Sequence, residues 1–209
     1  GVVAIEEDVE GALRRGTGAR RQLDAADQAD VADVDDVGLA LQRMHTFTEV
    51  ALQFARAGEM QRTKTSLNRI ITEFLEFFRP EAQSSGIDVS PHLATDLPLV
   101  SVDETLIRQV LANLFRNAQQ AMPDGGQIDV QTSSNTERVK LSVIDTGKGM
   151  DERALKKAFE PFFSTKSNGS GLGLPTVRKI IEAHGGTISC ESEPSRGTKF
   201  TIELPVAKE

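Results

Sequence analysis

Three short stretches of this 209-residue chain carry residues whose types and spacing suit one kind of chemistry. The first is Asp145-Thr-Gly-Lys-Gly-Met150, which follows the alternating run Val139-Lys-Leu-Ser-Val-Ile144. That period-2 pattern with β-branched residues reads as a half-buried strand, so Asp145 stands at a strand end. Two glycines in the next four residues let the backbone turn tightly and leave a bare wall for a flat ligand. A carboxylate there suits a purine, because it accepts from an exocyclic amine. An ordinary Asp-Thr-Gly turn after a strand accounts for the same residues.

The second stretch is Gly169-Ser-Gly-Leu-Gly-Leu174, followed by Pro175-Thr-Val-Arg-Lys-Ile-Ile-Glu-Ala-His184. This reads as a glycine-rich loop feeding a helix with Pro in its first turn. Backbone N–H groups at such a helix start make an anion cradle, a candidate phosphate site. It is not the dinucleotide fingerprint, because Phe159-Glu-Pro-Phe-Phe-Ser-Thr-Lys166 ahead of it is no buried strand, and without Gly-Lys-Ser/Thr it is not a Walker loop.

The third stretch is a helix by the spacing of Ile107, Leu111, Leu114 and Ala118, and it carries Asn113 and Asn117 four residues apart on one face. Asn is a poor residue for a helix interior, because its side chain competes for backbone groups. Either the pair directs two amide oxygens at a metal ion and its phosphates, or it lies on a solvated face.

The order of the stretches distinguishes these readings. An Asn-x-x-x-Asn helix, Asp-x-Gly-x-Gly after a strand, Phe-x-Pro-Phe-Phe, Gly-x-Gly-x-Gly, and then Arg196-Gly-Thr-Lys-Phe200 follow one another. Residues 61 to 209 thereby resemble the ATP-binding fold of sensor histidine kinases, type II topoisomerases, heat-shock chaperones and mismatch-repair ATPases. Within that superfamily they are most similar to the catalytic domain of two-component histidine kinases.

The resemblance implies an α+β two-layer sandwich, the Bergerat fold, over residues 61–209, and a dimerising helical hairpin over 1–60. It implies Mg²⁺ and ATP as ligands. Asp145 goes to the adenine amine, Gly147, Gly149 and Thr198 to the adenine wall, and Asn117 to Mg²⁺. Gly169, Gly171, Leu172 and Gly173, with Lys166, go to the phosphates, and residues 151–170 to an ATP lid with Phe159, Phe162 and Phe163 as apolar anchors. Asn113 stands where the hydrolases of the superfamily place a catalytic glutamate. An amide is no general base, so Asn113 and Lys166 fit phosphoryl transfer better than hydrolysis. The implied partners are a second copy, through the N-terminal helices, and the receiver domain of a response regulator.

One feature departs from the family pattern. The first arm of the hairpin falls within residues 1–30, where there is no His to accept phosphate. His45, His92 and His184 are the only histidines, and none is in a phosphoacceptor box. His45 reads as a second-arm helix residue, His92 as an exposed turn residue, and His184 as a helix C-terminal residue favoured there as a cation. The alternative function is therefore a dimerising, nucleotide-binding module without its own acceptor.

Composition is compatible with both. A net charge of −7 argues against nucleic-acid binding and against adsorption to an anionic membrane. No run of 18 or so apolar residues and no signal peptide occurs, so the reading is cytoplasmic, with any membrane anchor outside this fragment. The lone Cys190 sits in a strand pattern.

The elements that position the motifs follow from pattern. Residues 34–57 read as an amphipathic helix and Gly58 to Thr65 as a linker. Ser66 to Phe78 form a helix stopping at Arg79-Pro80. Residues 86–90 are a short strand, Asp103 is the N-cap of the asparagine helix, and Met122-Pro-Asp-Gly-Gly126 ends it. A strand from Ile128 pairs with 139–145, and strands 187–192 and 199–204 form a terminal hairpin. The sheet is expected to be antiparallel.

Overall fold

The computed structural model describes residues 60–166 and 169–208. The expected helical hairpin and His45 lie outside the described residues.

Among the described residues seven strands and four helices follow one another: β1 (Thr63–Thr65), α1 (Leu67–Ser84), β2 (Ile87–His92), β3 (Val100–Val102), α2 (Glu104–Ala121), β4 (Gly126–Ser134), β5 (Arg138–Asp145), α3 (Glu152–Lys157), α4 (Gly173–Ala183), β6 (Thr187–Glu193) and β7 (Gly197–Pro205). Five strands form one sheet in the order β2-β4-β5-β7-β6, and β1 pairs with β3 in a small separate sheet. Strand alternation buries Val139, Leu141 and Val143 of β5 together with Phe200, Ile202 and Leu204 of β7. The apolar stripes of α1, α2 and α4 join this face in one core. At its centre Phe115 is fully buried, with ring centroids 5.0 Å from Phe74 and 4.9 Å from Phe78 in edge-on contact.

The N-cap of α2 is as expected: the Asp103 side chain accepts from the N–H groups of Thr105 and Leu106. Ala121 ends that helix, and β4 pairs with β5 in antiparallel register.

Several expectations are corrected. The first helix does not stop at Pro80 but continues to Ser84. Pro80 is exposed on the solvent side of the helix, where a missing helical bond costs least, and the buried side chains of Phe78 and Ala82 carry the apolar stripe past it. The sheet is mixed, not antiparallel, because β2 pairs with β4 in parallel. A parallel pair needs a long crossover, which β3 and α2 supply. Thr63–Thr65, read as linker, pairs with β3. His92 ends a strand rather than occupying a turn, though it is exposed as expected.

His184 is not a cation at a free helix end. It is 1% exposed, its Nδ1–H donates to the Ile180 carbonyl at 2.7 Å, and Nε2 accepts from the Asp103 N–H at 3.0 Å. Burial pushes its imidazole below the usual range, with Arg62 adding to the effect, against the Ile180 bond and Asp103.

If Pro80 is tolerated only because it is solvated, Pro80→Ala restores one helical bond at an exposed site. Urea unfolding is expected to show a gain of about 1–3 kcal/mol, after allowance for the more flexible unfolded chain.

Candidate functional site

Asp145 closes the central strand β5, with Ile128 on one side and Thr198 on the other. It is 4% exposed. Its Oδ1 accepts from the backbone N–H of Gly147 at 2.9 Å and from that of Thr198 at 3.2 Å. No donor among the described residues reaches Oδ2, which is therefore free to accept from a ligand. Burial pushes the Asp145 carboxyl above its ordinary value, and the two N–H bonds and the charge of Lys166 oppose that shift.

The glycines around Asp145 are dictated by protein packing more than by ligand approach. A Cβ on Gly147 would lie 2.7 Å from the Ala121 Cβ and 2.9 Å from Asp145 Oδ1. The end of α2 packs directly on this loop, and the Lys148 N–H donates to the Ala121 carbonyl at 3.0 Å. A Cβ on Gly149 would meet the Glu193 carbonyl oxygen at 2.0 Å. Gly197 has φ +90° and a Cβ there would collide with the Asp145 carbonyl oxygen, so only glycine lets β7 begin beside Asp145. Thr198 then turns its N–H to the carboxylate, while its Oγ1 lies 3.0 Å from Ser192 Oγ. Ser192 also accepts from the Met150 N–H at 2.9 Å and so ties the loop to β6.

Asn113 and Asn117 project from one face of α2, both half-buried. The start of α4 abuts the first of them, since a Cβ on Gly173 would lie 3.5 Å from Asn113 Oδ1. Pro175 is in the first turn of α4, where a missing N–H costs nothing. Leu172 stands at the N-cap with its side chain buried, and its carbonyl accepts from the Thr176 N–H and hydroxyl at 3.0 and 2.7 Å.

The segment before α4 folds back on itself. The Phe162 N–H donates to the Gly171 carbonyl at 3.0 Å, and a Cβ on Gly171 would sit 2.4 Å from the Phe162 carbonyl carbon. The Gly169 N–H donates to the Lys166 carbonyl at 3.2 Å. Of the three expected aromatic anchors, Phe159 packs edge-on to Phe200 at 6.5 Å with the Arg178 guanidinium 4.1 Å from its ring centre, and Phe163 is half-buried. Phe162 departs from the expectation: it is 66% exposed, with its backbone in the left-handed region at φ 65°.

Lys166 brings this segment to α2. Its ammonium donates to Asn117 Oδ1 at 3.4 Å and to Gln120 Oε1. Burial pushes the ammonium below its ordinary value, the charge of Lys148 adds to that, and Asp145 opposes it. The corner is thus rich in cationic charge and amide oxygens. No group of three His, Cys, Asp or Glu side chains among the described residues is placed to hold a metal ion. Amide oxygens fit Mg²⁺ as a partial donor set whose remaining positions are filled by phosphate and water oxygens.

The structure thus sets the loop of Asp145, Gly147 and Gly149 and the start of β7 at Thr198 by the end of α2, and brings Lys166 and Gly173 to Asn117 and Asn113 along the same helix. Gln120 and Ser192 join the site beyond the residues that the sequence motifs mark. Gln120 had a signal, being three residues past Asn117 on the same helix face. Ser192 had none, because its role depends on a strand pairing.

Residues 102–208 match the family described as histidine kinase-, DNA gyrase B- and HSP90-like ATPase. The chain belongs to this family. It is similar to the sensor histidine kinase ZraS of Klebsiella oxytoca, at 38% identity over 165 residues, covering 78% of this chain and 36% of that kinase. The chain therefore spans about a third of that relative's length. Full-length ShkA in complex with AMPPNP has a TM-score of 0.69 at 30% identity, covering 78% of this chain and 36% of that one. Histidine kinase ThkA in complex with the response regulator protein TrrA has a TM-score of 0.68 at 31% identity, covering 80% and 48%. The expected Bergerat ATP-binding fold is borne out, as is the family. No helix among the described residues is long and apolar enough to cross a membrane.

The buried carboxylate of Asp145 has a measurable cost. Its folded-state value is raised, so below the ordinary carboxylate range both states hold the proton and nothing is lost. As pH rises through the raised value the fold must ionise a buried group, and that stability disappears. Asp145→Asn keeps an acceptor at the Oδ1 position and has no proton to lose. It is expected to raise Tm, by roughly 2–4 °C per kcal/mol relieved, and by more above the carboxylate range than below it in calorimetric scans.

Proposed function

We propose that the chain is a histidine kinase core that binds Mg·ATP and transfers the γ-phosphoryl group to a histidine, for relay to a response regulator. The observation that carries this reading is the pairing of a buried carboxylate that has a free oxygen with an amide corner at the start of a helix. Asp145 Oδ2 accepts from the adenine amine, and Gly147, Gly149 and Thr198 flank the base. Asn117 takes part in holding Mg²⁺, which neutralises phosphate charge when bound. Gly169, Gly171, Leu172 and Gly173 turn backbone N–H groups to the phosphates, Gly169 and Leu172 by giving up their bonds to Lys166 and Ser170, and Lys166 leaves Asn117 and Gln120 to meet them.

In the transfer, the bond from γ-phosphorus to the bridging oxygen breaks, a bond to an imidazole nitrogen forms, and ADP leaves. A neutral imidazole carries its own lone pair and needs no strong base. Asn113 supplies an amide and takes no proton from water, which disfavours hydrolysis. His184 is not the acceptor, because both ring nitrogens are engaged inside the fold. AMPPNP bound by ShkA and TrrA bound by ThkA support the nucleotide and the response regulator as ligands of this chain. Residues 1–60 are read as the dimerising part, whose partner is a second copy. A second reading, a nucleotide-binding module that transfers nothing, is favoured by the absence of a His from residues 1–30.

Incubation with Mg²⁺, γ-labelled ATP and a separate histidine-bearing acceptor domain distinguishes the two. A kinase gives protein label that is lost in acid and survives alkali; nucleotide binding without such label supports the module. Release of free phosphate at enzymatic rates would overturn both. Asn117→Ala is expected to weaken ATP binding about tenfold or more with Mg²⁺ and far less in EDTA, by titration calorimetry. Equal losses would remove Asn117 from the metal.

A further inference from the structure

Two antiparallel helices frame the candidate site, and both are tied again at the ends remote from it. Asp103, the N-cap of α2, lies ten residues before Asn113, about 15 Å along the helix. The other helix, α4, has Gly173 against Asn113 and runs 11 residues to Ala183 beside Asp103. The far ends meet through His184, whose Nε2 accepts from the Asp103 N–H at 3.0 Å.

A third element joins them there. The carboxylate of Asp103 needs only Oδ1 to cap α2, through Thr105 and Leu106 at 3.0 and 3.2 Å. Oδ2 instead accepts from the backbone N–H of Gln61 at 3.1 Å. The guanidinium of Arg62 donates to the carbonyl of Ala183, the last residue of α4. A cation on that carbonyl satisfies an orphan acceptor and complements the helix dipole. Two adjacent residues ahead of β1 thus hold the start of one site helix and the end of the other. Both are exposed, so each bond is individually weak and the pair is readily released.

We propose that Gln61 and Arg62 are positioning residues for the nucleotide site, acting as a strap that clamps α2 to α4 through Asp103, His184 and Ala183. The strap sets how far the asparagine face of α2 stands from the start of α4. Nucleotide, bound between those elements, favours the spacing that the seated strap imposes. Seating the strap and binding nucleotide are then coupled in both directions. The chain ahead of Gln61 acts on the site by seating or lifting these two residues. The inference rests on the nucleotide reading of the site.

The test uses the whole 209-residue chain and titration calorimetry with Mg·ATP. Gln61→Pro removes the N–H that Asp103 accepts, whereas Gln61→Ala keeps it. Arg62→Ala removes the donor to Ala183, whereas Arg62→Lys replaces it. Gln61→Pro and Arg62→Ala are expected to weaken ATP binding by about fivefold or more, with the two conservative variants close to the unaltered chain. Hydrogen exchange decides the matter without any variant, since saturating ATP is expected to slow exchange of the Gln61 amide. ATP binding that is equal in all four variants, with Gln61 exchange unchanged by ATP, overturns the strap and leaves the nucleotide reading standing. An unaltered chain that binds no ATP overturns the nucleotide reading, and the strap with it.

Discussion

A carboxylate buried beside the sheet is unfavourable unless its charge is met by donors. Asp145 is met on one oxygen only, by the N–H groups of Gly147 and Thr198. Much of the surrounding sequence follows from this. Gly147 must lack a Cβ because Ala121 and Asp145 Oδ1 occupy that space, and Gly197 must lack one because the Asp145 carbonyl does. Thr198, the second residue of β7, has to stand opposite Asp145 for its N–H to arrive. A protein that keeps such an expensive group, and leaves one of its oxygens without a partner, has a use for that oxygen.

The second constraint is electrostatic. Lys166 crosses from the folded-back segment to Asn117 and Gln120, and Lys148 repels it from the loop after β5. Together with the start of α4 this gathers positive potential opposite the carboxylate. The site is therefore polarised, with an acceptor at one side for an amine and cationic charge at the other for an anion. An adenine nucleotide has that same polarity.

How much of this the sequence held depended on the range of the interactions. Asp145 at a strand end, Asp103 as a cap, and the two asparagines on one face are local patterns, and each is found as read. The sequence marks the glycines but not what requires them, since their contacts are with residues as distant as Glu193 and Ala121. Local preference makes Pro80 a stop, and the buried side chains of Phe78 and Ala82 override it. The parallel β2 and the neutral, doubly bonded His184 depend on partners far along the chain, and neither leaves a periodic trace.

In the proposed Mg·ATP site the free oxygen of Asp145 receives the adenine amine. The most direct measurement is titration of the unaltered chain with ATP and with the triphosphate of purine riboside, which differs only in lacking that amine. Loss of a hydrogen bond to a charged acceptor predicts that the analogue binds about tenfold or more weakly. Equal affinity for the two would contradict the assignment of Asp145 and the orientation of nucleotide in the site.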